Sequence, residues 1–369
     1  MSGPFLLVSS HDFRTPRKAN MHFIARELRR RGAVRFFSAG FSHLSRLKSD
    51  PRSSLWGRTN RIERVDGVDC FLWRTPLHPV RWRAPAMSWC ERKLFEVYAS
   101  RVPQAFVAWV RESRIVFLES GFPVALFRSV KRLNPAARVV YVASDDLATI
   151  ECAPFLQEEL RATAGEYDLI CLPSRQLAAG LPAGCRTAHV PHGLDRQALS
   201  VRDPSPYPPG VHAVSVGSML FDPWVFDTAA ASFPDITFHI IGGGPRAAAL
   251  ARSNVIVHGE MPFAETVPHL AHARFGIAPY RGEKVAPYMA DTSMKLMQFA
   301  ALGIPAVCPV AVTGGRPERF GYEPGNGASL VAAIRAACGA GRLPPRAALS
   351  WDDVVDRLLV PDSYSDARM

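Results

Sequence analysis

The chain has 369 residues, 48% of them hydrophobic, and a formal net charge of +11. That length exceeds what one hydrophobic core usually fills and predicts two domains, while the composition excludes a disordered protein. No apolar run approaches the roughly 20 residues that cross a bilayer, and Phe5–Val8 is too short for the core of a signal peptide. We therefore expect a cytoplasmic protein.

The excess of positive charge predicts anionic partners. A phosphorylated substrate and acidic lipid both fit. None of the familiar nucleic-acid-binding motifs occurs in the sequence, so we expect no nucleic acid. The seven cysteines include no CxxC pair, which predicts reduced thiols and no zinc site.

The first half of the chain alternates apolar strands with amphipathic helices, which is the pattern of a parallel sheet. Helices are predicted over 19–32 and 124–133. Strands are predicted over 5–10, 34–38, 68–73, 115–119, 138–143, 168–172 and 187–190. A proline-rich stretch after Pro191 predicts the linker, which makes residues 1–191 the first domain.

Polar residues follow the first strand, at the edge where α/β sheets bind ligands. They are His11, Asp12, Arg14 and Lys18. Each is either an ordinary loop residue or part of a substrate edge, and the sequence leaves both interpretations open.

A basic segment over 80–98 interleaves cations with tryptophans. It contains Arg81, Trp82, Arg83, Trp89, Arg92 and Lys93, and the irregular region before it adds Arg46 and Lys48. Indole rings favour the headgroup layer of a bilayer, and cations meet anionic lipid. The segment is therefore either a docking surface for an anionic membrane or a helix packed on its own domain with a basic edge.

The second half is more regular, because each short apolar strand stops at a glycine or proline. These strands are predicted over 213–216, 237–241, 255–258, 275–278 and 306–308. Two Rossmann-like domains facing a central cleft are the simplest architecture, with residues 192–350 as the second domain. The Gly242–Gly244 turn lacks the dinucleotide spacing, which disfavours a dehydrogenase.

The stretch that begins at Asp291 predicts a helix suited to a diphosphate. Asp291 or Thr292 offers an N-cap, and Gly303 offers a left-handed C-cap. Free N–H groups and the positive helix end would then lie beside Ser293 and Lys295. An ordinary capped helix with one solvated lysine is the alternative.

Other strand ends of the second domain would complete a nucleotide-diphosphate site. Glu260 can accept hydrogen bonds from the vicinal hydroxyls of a ribose, and Met219 and Tyr280 supply apolar walls. Gln298 lies one helical turn beyond Lys295 and would reach the same crevice.

Two aspartates, Asp145 and Asp146, follow a strand of the first domain. A carboxylate there can take a proton from an acceptor hydroxyl, or it can cap the helix predicted at Leu147. Ser144-Asp-Asp is not the Asp-x-Asp arrangement that holds a metal against a diphosphate. We therefore expect Lys295 and the helix dipole to neutralise the diphosphate charge instead.

Strings along nearly the whole chain resemble the GumK family of glucuronosyltransferases. They are Ser9–Arg17, Val142–Leu147, Val216–Pro223, Gly259–Met261, Ala273–Tyr280 and Ser293–Leu296. The resemblance implies a GT-B glycosyltransferase, inverting and free of metal and cofactor, that takes glucuronate from UDP-glucuronate. The implied acceptor is a mannose-ended oligosaccharide on a polyprenyl diphosphate, at the inner face of the cell membrane, in xanthan-like exopolysaccharide biosynthesis.

The matching motifs also imply site residues. The catalytic base would be Asp145. The nucleotide-sugar contacts would be Met219, Glu260, Tyr280, Ser293, Met294, Lys295 and Gln298. One departure is Asp146, which stands where the family pattern has a glycine, and it leaves open which carboxylate acts.

GT-B chains also return a C-terminal helix to the first domain, which implies that residues 351–369 belong there, with a helix over 351–359. Two alternatives to the proposed activity stay open. One is a transferase of the same fold that uses another UDP-sugar, and the other is a non-catalytic nucleotide-sugar-binding or lipid-binding protein.

Overall fold

Parallel β-sheets organise the structure, a computed structural model that describes residues 3–16, 18–47, 50–82, 88–250, 252–282 and 285–369. The chain divides into two units. The first is Met1–Pro191 with Trp351–Met369, and the second is His192–Ser350.

The sheet of the first unit has eight strands among the described residues, in the order β3-β4-β2-β1-β5-β6-β7-β8. They are β1 (Phe5–Ser9), β2 (Val34–Ser42), β3 (Glu63–Val65), β4 (Val68–Thr75), β5 (Ile115–Glu119), β6 (Arg138–Val142), β7 (Leu169–Leu172) and β8 (Thr187–His189). All neighbours pair in parallel except β3 and β4. The carboxyl ends of β1, β5 and β6 therefore lie side by side at one edge.

Helices connect these strands, as expected for parallel pairs. They are α1 (Asn20–Leu28), α2 (His43–Leu47), α3 (Ser88–Ser100), α4 (Gln104–Glu112), α5 (Phe127–Leu133) and α6 (Pro154–Thr163). Apolar side chains from the helices and the sheet form one buried core, in which the ring centroids of Phe37 and Phe106 lie 4.7 Å apart.

The second unit has a six-stranded sheet in the order β12-β11-β10-β13-β14-β15, parallel throughout its described pairs. Its strands, with a short parallel pair of β9 and β16, are β9 (Gly193–Leu194), β10 (Val211–Val216), β11 (Ile236–Ile241), β12 (Val255–His258), β13 (Phe275–Ile277), β14 (Ala306–Pro309), β15 (Arg319–Tyr322) and β16 (Leu349–Ser350). Its helices are α7 (Arg196–Ser200), α8 (Pro223–Ser232), α9 (Pro245–Ala248), α10 (Phe263–His272), α11 (Met289–Thr292), α12 (Met294–Leu302) and α13 (Gly327–Ala340).

The last helix, α14 (Trp351–Leu359), belongs to the first unit. Trp351 stacks on Phe23 of α1, with ring centroids 4.8 Å apart. Arg31 forms ion pairs with Asp352 and Asp356 of α14. Aromatic stacking and charge pairing together hold the chain end on α1.

Several predicted boundaries were wrong. The first helix ends at Leu28 rather than at Gly32, and the helix predicted over 124–133 begins with a 3-10 turn over Phe122–Leu126. Pro123 lies in the first positions of that turn, where a missing N–H costs no hydrogen bond. The antiparallel strand β3 was not predicted.

Candidate active site

The helix α12 begins at Ser293 rather than at Asp291 or Thr292. The Ser293 Oγ accepts a hydrogen bond of 3.2 Å from the N–H of Leu296, and its backbone is extended, as an N-cap requires. Asp291 and Thr292 lie inside the short helix α11, so neither caps α12, and the predicted N-cap was wrong. The predicted C-cap is confirmed, because Gly303 has a φ of 66° and a ψ of 31°.

Lys295, in the first turn of α12, is buried with only 8% of its surface exposed. The alternative of a solvated lysine is therefore wrong. Its Nζ donates to the Ser215 Oγ at 3.2 Å and lies 5.3 Å from the centre of the Tyr280 ring. Among the described residues no carboxylate pairs with it. Burial lowers the pKa of Lys295 to about 7.

Tyr280 and Ser293 complete this cluster. Their hydroxyl oxygens are 2.5 Å apart, and both residues are buried. Burial raises the pKa of Tyr280 to about 12, against the opposing effect of the hydrogen bond with Ser293. The structure thus brings three predicted contact residues together around an ammonium group at a helix N-terminus, an arrangement that favours an anionic ligand.

Ser215 was missed because one serine inside an apolar strand carries no sequence signal. A second missed residue is Arg319, which is 6% exposed. Its Nη1 donates to the carbonyls of Ala290 and Val312 at 2.7 and 2.8 Å, while its Nε and Nη2 have no partner among the described residues. Burial and the nearby Arg316 lower the pKa of Arg319 to about 10.

Met219 lies in the loop after β10 and is 51% exposed. The same loop reaches the cluster, since Phe221 forms a β-bridge with Tyr280. Met294 and Gln298 are half-buried, one turn apart on α12. Among the described residues, none of these three predicted contacts forms a hydrogen bond with the Lys295 ammonium.

Glu260 lies apart from that cluster, in the loop after β12. It is exposed, and its Cγ is 3.6 Å from the place where a Cβ on Gly242 would stand. The Gly242 N–H reaches the carbonyls of His258 and Gly259 at 3.3 and 3.2 Å. The loops after β11 and β12 thus meet at Glu260, on the other side of β10 from Lys295.

Asp145 belongs to the first unit, whereas the seven predicted nucleotide-sugar contacts belong to the second. It is half-buried after β6, and its N–H donates to the Ser120 Oγ at 3.1 Å. The Asp146 carboxylate caps a turn instead, because its Oδ2 accepts from the N–H and Oγ1 of Thr149 at 2.8 and 2.9 Å. The capping role considered for both aspartates therefore falls to Asp146, in a turn and not a helix.

The loop after β1 contains a buried ion pair. The Nε and Nη2 of Arg14 donate to the two carboxylate oxygens of Asp12 at 2.8 Å each, and Nη1 reaches Glu63 at 2.7 Å. The Ser38 Oγ adds a bond of 2.8 Å to Asp12. Asp12 and Arg14 are therefore already satisfied within the protein. The remaining candidates of this loop are His11, which is exposed, and Lys18, whose Nζ donates to a backbone carbonyl.

The helix α3 presents apolar residues outward. Trp89, Leu94 and Val97 are 66%, 44% and 45% exposed, while Phe95 and Tyr98 face the core. The outward side of α3 is therefore apolar as well as basic. For this segment the sequence left open both a helix packed on its own domain and a membrane-docking surface.

The basic residues around α3 make local contacts. Arg92 pairs with Glu158 at 2.5 Å and Lys93 with Glu96 at 2.7 Å. The remaining predicted residues lie as follows: Arg81 is 4.0 Å from Glu151, Arg46 lies over Trp56, Trp82 is half-buried, and Arg83 and Lys48 lie outside the described residues. Within the described ranges, no helix is long and apolar enough to cross a membrane.

Two family models match the chain. The N-terminal domain of the glucuronosyltransferase GumK matches residues 7–173, and the group 1 glycosyl transferases match residues 223–338. The chain is also similar to the UDP-glucuronate:glycolipid 2-beta-glucuronosyltransferase of Xanthomonas campestris pv. campestris. The two are 47% identical over 365 residues, which cover 99% of this chain and 91% of that protein.

Solved structures are similar at much lower sequence identity. Anabaena HepE, in complex with UDP and glucose, has a TM-score of 0.62 at 14% identity, covering 98% of this chain and 99% of its own. The sucrose-phosphate synthase of Thermosynechococcus elongatus has a TM-score of 0.61 at 11% identity, covering 97% and 94%. At such identities the likeness establishes the fold alone.

Proposed function

The chain belongs to the GumK family of glucuronosyltransferases and has the GT-B fold that the sequence predicted, and on this premise we propose its reaction. It is a glycosyltransferase. In the proposed reaction, glucuronate moves from UDP-glucuronate to a mannose-ended oligosaccharide on a polyprenyl diphosphate, with inversion at the anomeric carbon.

The observation that carries this proposal is the buried ammonium of Lys295 at the start of α12. A buried cation without a carboxylate partner is costly, and an anionic ligand offsets that cost. The N–H groups of the first turn of α12 add their own affinity for phosphate. A nucleoside diphosphate satisfies both groups at once.

The acceptor side of the reaction requires a base. Asp145 takes the proton of the acceptor hydroxyl, whose oxygen attacks the anomeric carbon of glucuronate from the face opposite UDP. The bond between that carbon and the diphosphate oxygen breaks, and UDP leaves with the electron pair. Of the two aspartates, Asp145 is the one that matches the catalytic position of the family motif, and the Asp146 carboxylate caps the turn at Thr149.

The leaving diphosphate gains negative charge as the bond breaks. Protonated Lys295 and the helix N-terminus stabilise that charge in the buried cluster, and this is work that a metal ion does in other transferases. EDTA should therefore leave turnover unchanged. A strict requirement for Mg²⁺ or Mn²⁺ would contradict this part of the mechanism.

The test of the function uses membrane-extracted lipid-linked acceptor and a panel of UDP-sugars, with the glycolipid product identified by mass spectrometry. Transfer should be fastest from UDP-glucuronate. Asp145→Ala should lower turnover by about 10²–10⁴-fold while UDP binding stays intact, and Asp146→Ala is the matched control. If Asp146→Ala is inactive and Asp145→Ala is active, Asp146 is the base. If transfer occurs only from another UDP-sugar, that sugar nucleotide is the donor and UDP-glucuronate is not.

We also propose that the protein works as a peripheral protein on the inner face of the membrane, with the outward side of α3 docked on anionic lipid. The exposed Trp89, Leu94 and Val97 support apolar insertion, and the neighbouring cations support electrostatic attraction. Co-sedimentation with liposomes should require anionic lipid and weaken with salt. Trp89→Ser should reduce it, whereas Ile256→Ser, which alters an exposed apolar residue of the second unit, should not. Equal binding to neutral and anionic vesicles would contradict the proposal.

A further inference from the structure

A buried carboxylate lies at the end of β5, at a position that no sequence motif marks. Glu119 is the last residue of that strand and is 3% exposed. Hydroxyl groups satisfy it among the described residues. The Ser9 Oγ donates to Oε2 at 2.5 Å, and the Ser144 Oγ donates to Oε1 at 3.2 Å. Glu119 therefore joins the carboxyl ends of β1 and β6 from the strand between them.

The direction of each hydrogen bond follows from the groups around it. The Ser9 Oγ accepts from the N–H of His11 at 2.9 Å, and the Ser144 Oγ accepts from the Nδ2 of Asn20 at 2.6 Å. An N–H can only donate, so each serine is free to turn its own proton toward Glu119. The network is thus a set of donors converging on one carboxylate.

This network reaches the loop that carries Asp145. Ser144 immediately precedes Asp145, and Ser120 immediately follows Glu119. The Ser120 Oγ accepts from the N–H of Asp145 at 3.1 Å, and the Ser120 N–H donates to the carbonyl of Val142 at 3.0 Å. At the end of β5, Glu119 therefore holds the side chain of Ser144, and Ser120 holds the backbone N–H of Asp145.

We propose that Glu119 is a positioning residue, which acts through Ser144 to fix the loop that presents Asp145 to the acceptor hydroxyl. This inference rests on the proposed role of Asp145 as the base. A base acts only within hydrogen-bond reach of the proton that it removes, and a misplacement of about 1 Å can cost roughly a hundredfold in rate. Buried groups that lock a side chain and its loop are the usual means of holding such geometry.

The test compares Glu119→Gln with Ser144→Ala in steady-state kinetics. Glutamine keeps the shape, but its amide nitrogen cannot accept a hydroxyl proton, so one serine loses its acceptor. We expect kcat to fall about 10- to 100-fold in each variant, with the KM for UDP-glucuronate and the Kd for UDP unchanged. Because the two residues act as one unit, the double variant should be no slower than the slower single variant.

The matched control is Glu159→Gln, which alters another buried glutamate of the first unit, 7% exposed and paired with Arg128. Its kcat should stay unchanged. Unchanged kcat in Ser144→Ala, an equal fall in Glu159→Gln, or additive losses in the double variant would each overturn the inference, and the Ser144 result stands even if Glu119→Gln does not fold. An active Asp145→Ala would instead show that the proposed base is wrong, independently of Glu119.

Discussion

Both sheets bury charged side chains near their carboxyl edges, but within the described ranges only the first sheet pairs them with charges of opposite sign. In the first unit Asp12 and Arg14 neutralise each other. Burial would raise the pKa of Asp12, but the hydrogen bonds and the charge of Arg14 hold that pKa below its usual value. Burial would lower the pKa of Arg14, but Asp12 and Glu63 raise it. In the second unit burial lowers the pKa of Lys295 to about 7 and that of Arg319 to about 10.

The direction of these shifts separates charge that the fold pairs from charge that it buries without an ion-pair partner among the described residues. A paired ion is more stable charged inside the fold than in water, so its pKa moves toward the charged form. An unpaired cation is less stable charged, so its pKa falls. The Asp12–Arg14 pair is therefore complete without a ligand, whereas the Lys295 ammonium would gain from an anion.

The largest effect should come from breaking the complete pair. Arg14→Met leaves Asp12 buried without its cation and should lower the free energy of unfolding by about 3–5 kcal/mol. Urea denaturation measures this loss, and Asp12→Asn combined with Arg14→Met should be less destabilised than Arg14→Met alone. UDP affinity should not change, and a weakened UDP complex would show that this loop serves the donor.

The opposite outcome is expected at Lys295. Lys295→Met removes the charge that stabilises the leaving diphosphate and should lower kcat/KM by about 10²–10³-fold, the range for one lost electrostatic contact of this kind. Stability should hold or rise, because an apolar chain replaces a buried amine that has no ion-pair partner in the described part of the chain. Lys93→Met, on the exposed side of α3, is the control and should leave donor kinetics unchanged. A large loss of stability in Lys295→Met would make the lysine structural.

A smaller and more specific effect is the coupling of donor binding to a proton. With its pKa at about 7 in the free protein, Lys295 is mostly neutral at pH 8.5 and must take up a proton when a diphosphate binds. Affinity for UDP-glucuronate should therefore fall as the pH rises above 7, by at most about tenfold per pH unit, and flatten below 7. Calorimetry in buffers of different ionisation enthalpy measures the uptake. The same uptake in Lys295→Met would assign it to another group.

Five of the six strands of the second sheet were predicted, because their signals were local, and β15 was missed. The strand Val255–His258 has the predicted bounds, and Gly303 ends α12 in the left-handed conformation that glycine adopts without strain. The N-cap of α12 was predicted wrongly because Asp291, Thr292 and Ser293 are all good capping residues. Only the preceding helix α11, which takes up both of them, decides among the three.

Burial at the sites could not be predicted, because it depends on distant partners. Lys295 meets Ser215, 80 residues away in sequence, and Glu119 meets Ser9, 110 residues away. No periodicity marks such a pair. The three-residue strand β3 was missed for a related reason, since Glu63–Val65 is short and polar and its pairing with β4 supplies most of its stability.

The second unit contains one more group of titratable side chains away from Lys295, a chain of histidines across β10, β11 and β12. The His212 Nε2 must donate to the Pro208 carbonyl, 2.9 Å away, so in its neutral form its Nδ1 accepts from His239 at 3.0 Å. The His239 Nδ1 in turn accepts from His258 at 3.1 Å. Tyr207 stacks on His212 with ring centroids 4.5 Å apart and closes one side of the chain.

This chain should make the second sheet sensitive to acid. Burial and its histidine neighbours lower the pKa of His239 from 6.5 to about 4, and burial lowers that of His258. Between pH 6.5 and 4 these histidines are protonated in the unfolded chain but neutral in the folded protein. The stability present above pH 6.5 is therefore lost as the pH falls toward 4, by about 1 kcal/mol per pH unit for one proton. Hydrogen exchange of the β10 and β11 amides should therefore accelerate on acidification. The first unit has its own buried histidine, His22, whose pKa burial lowers to about 4, so the test compares variants rather than units. His239→Phe should flatten the pH dependence of the β10 and β11 amides, and His11→Asn, at an exposed site of the first unit, should not. An unchanged acid sensitivity of β10 and β11 in His239→Phe would place the proton uptake elsewhere.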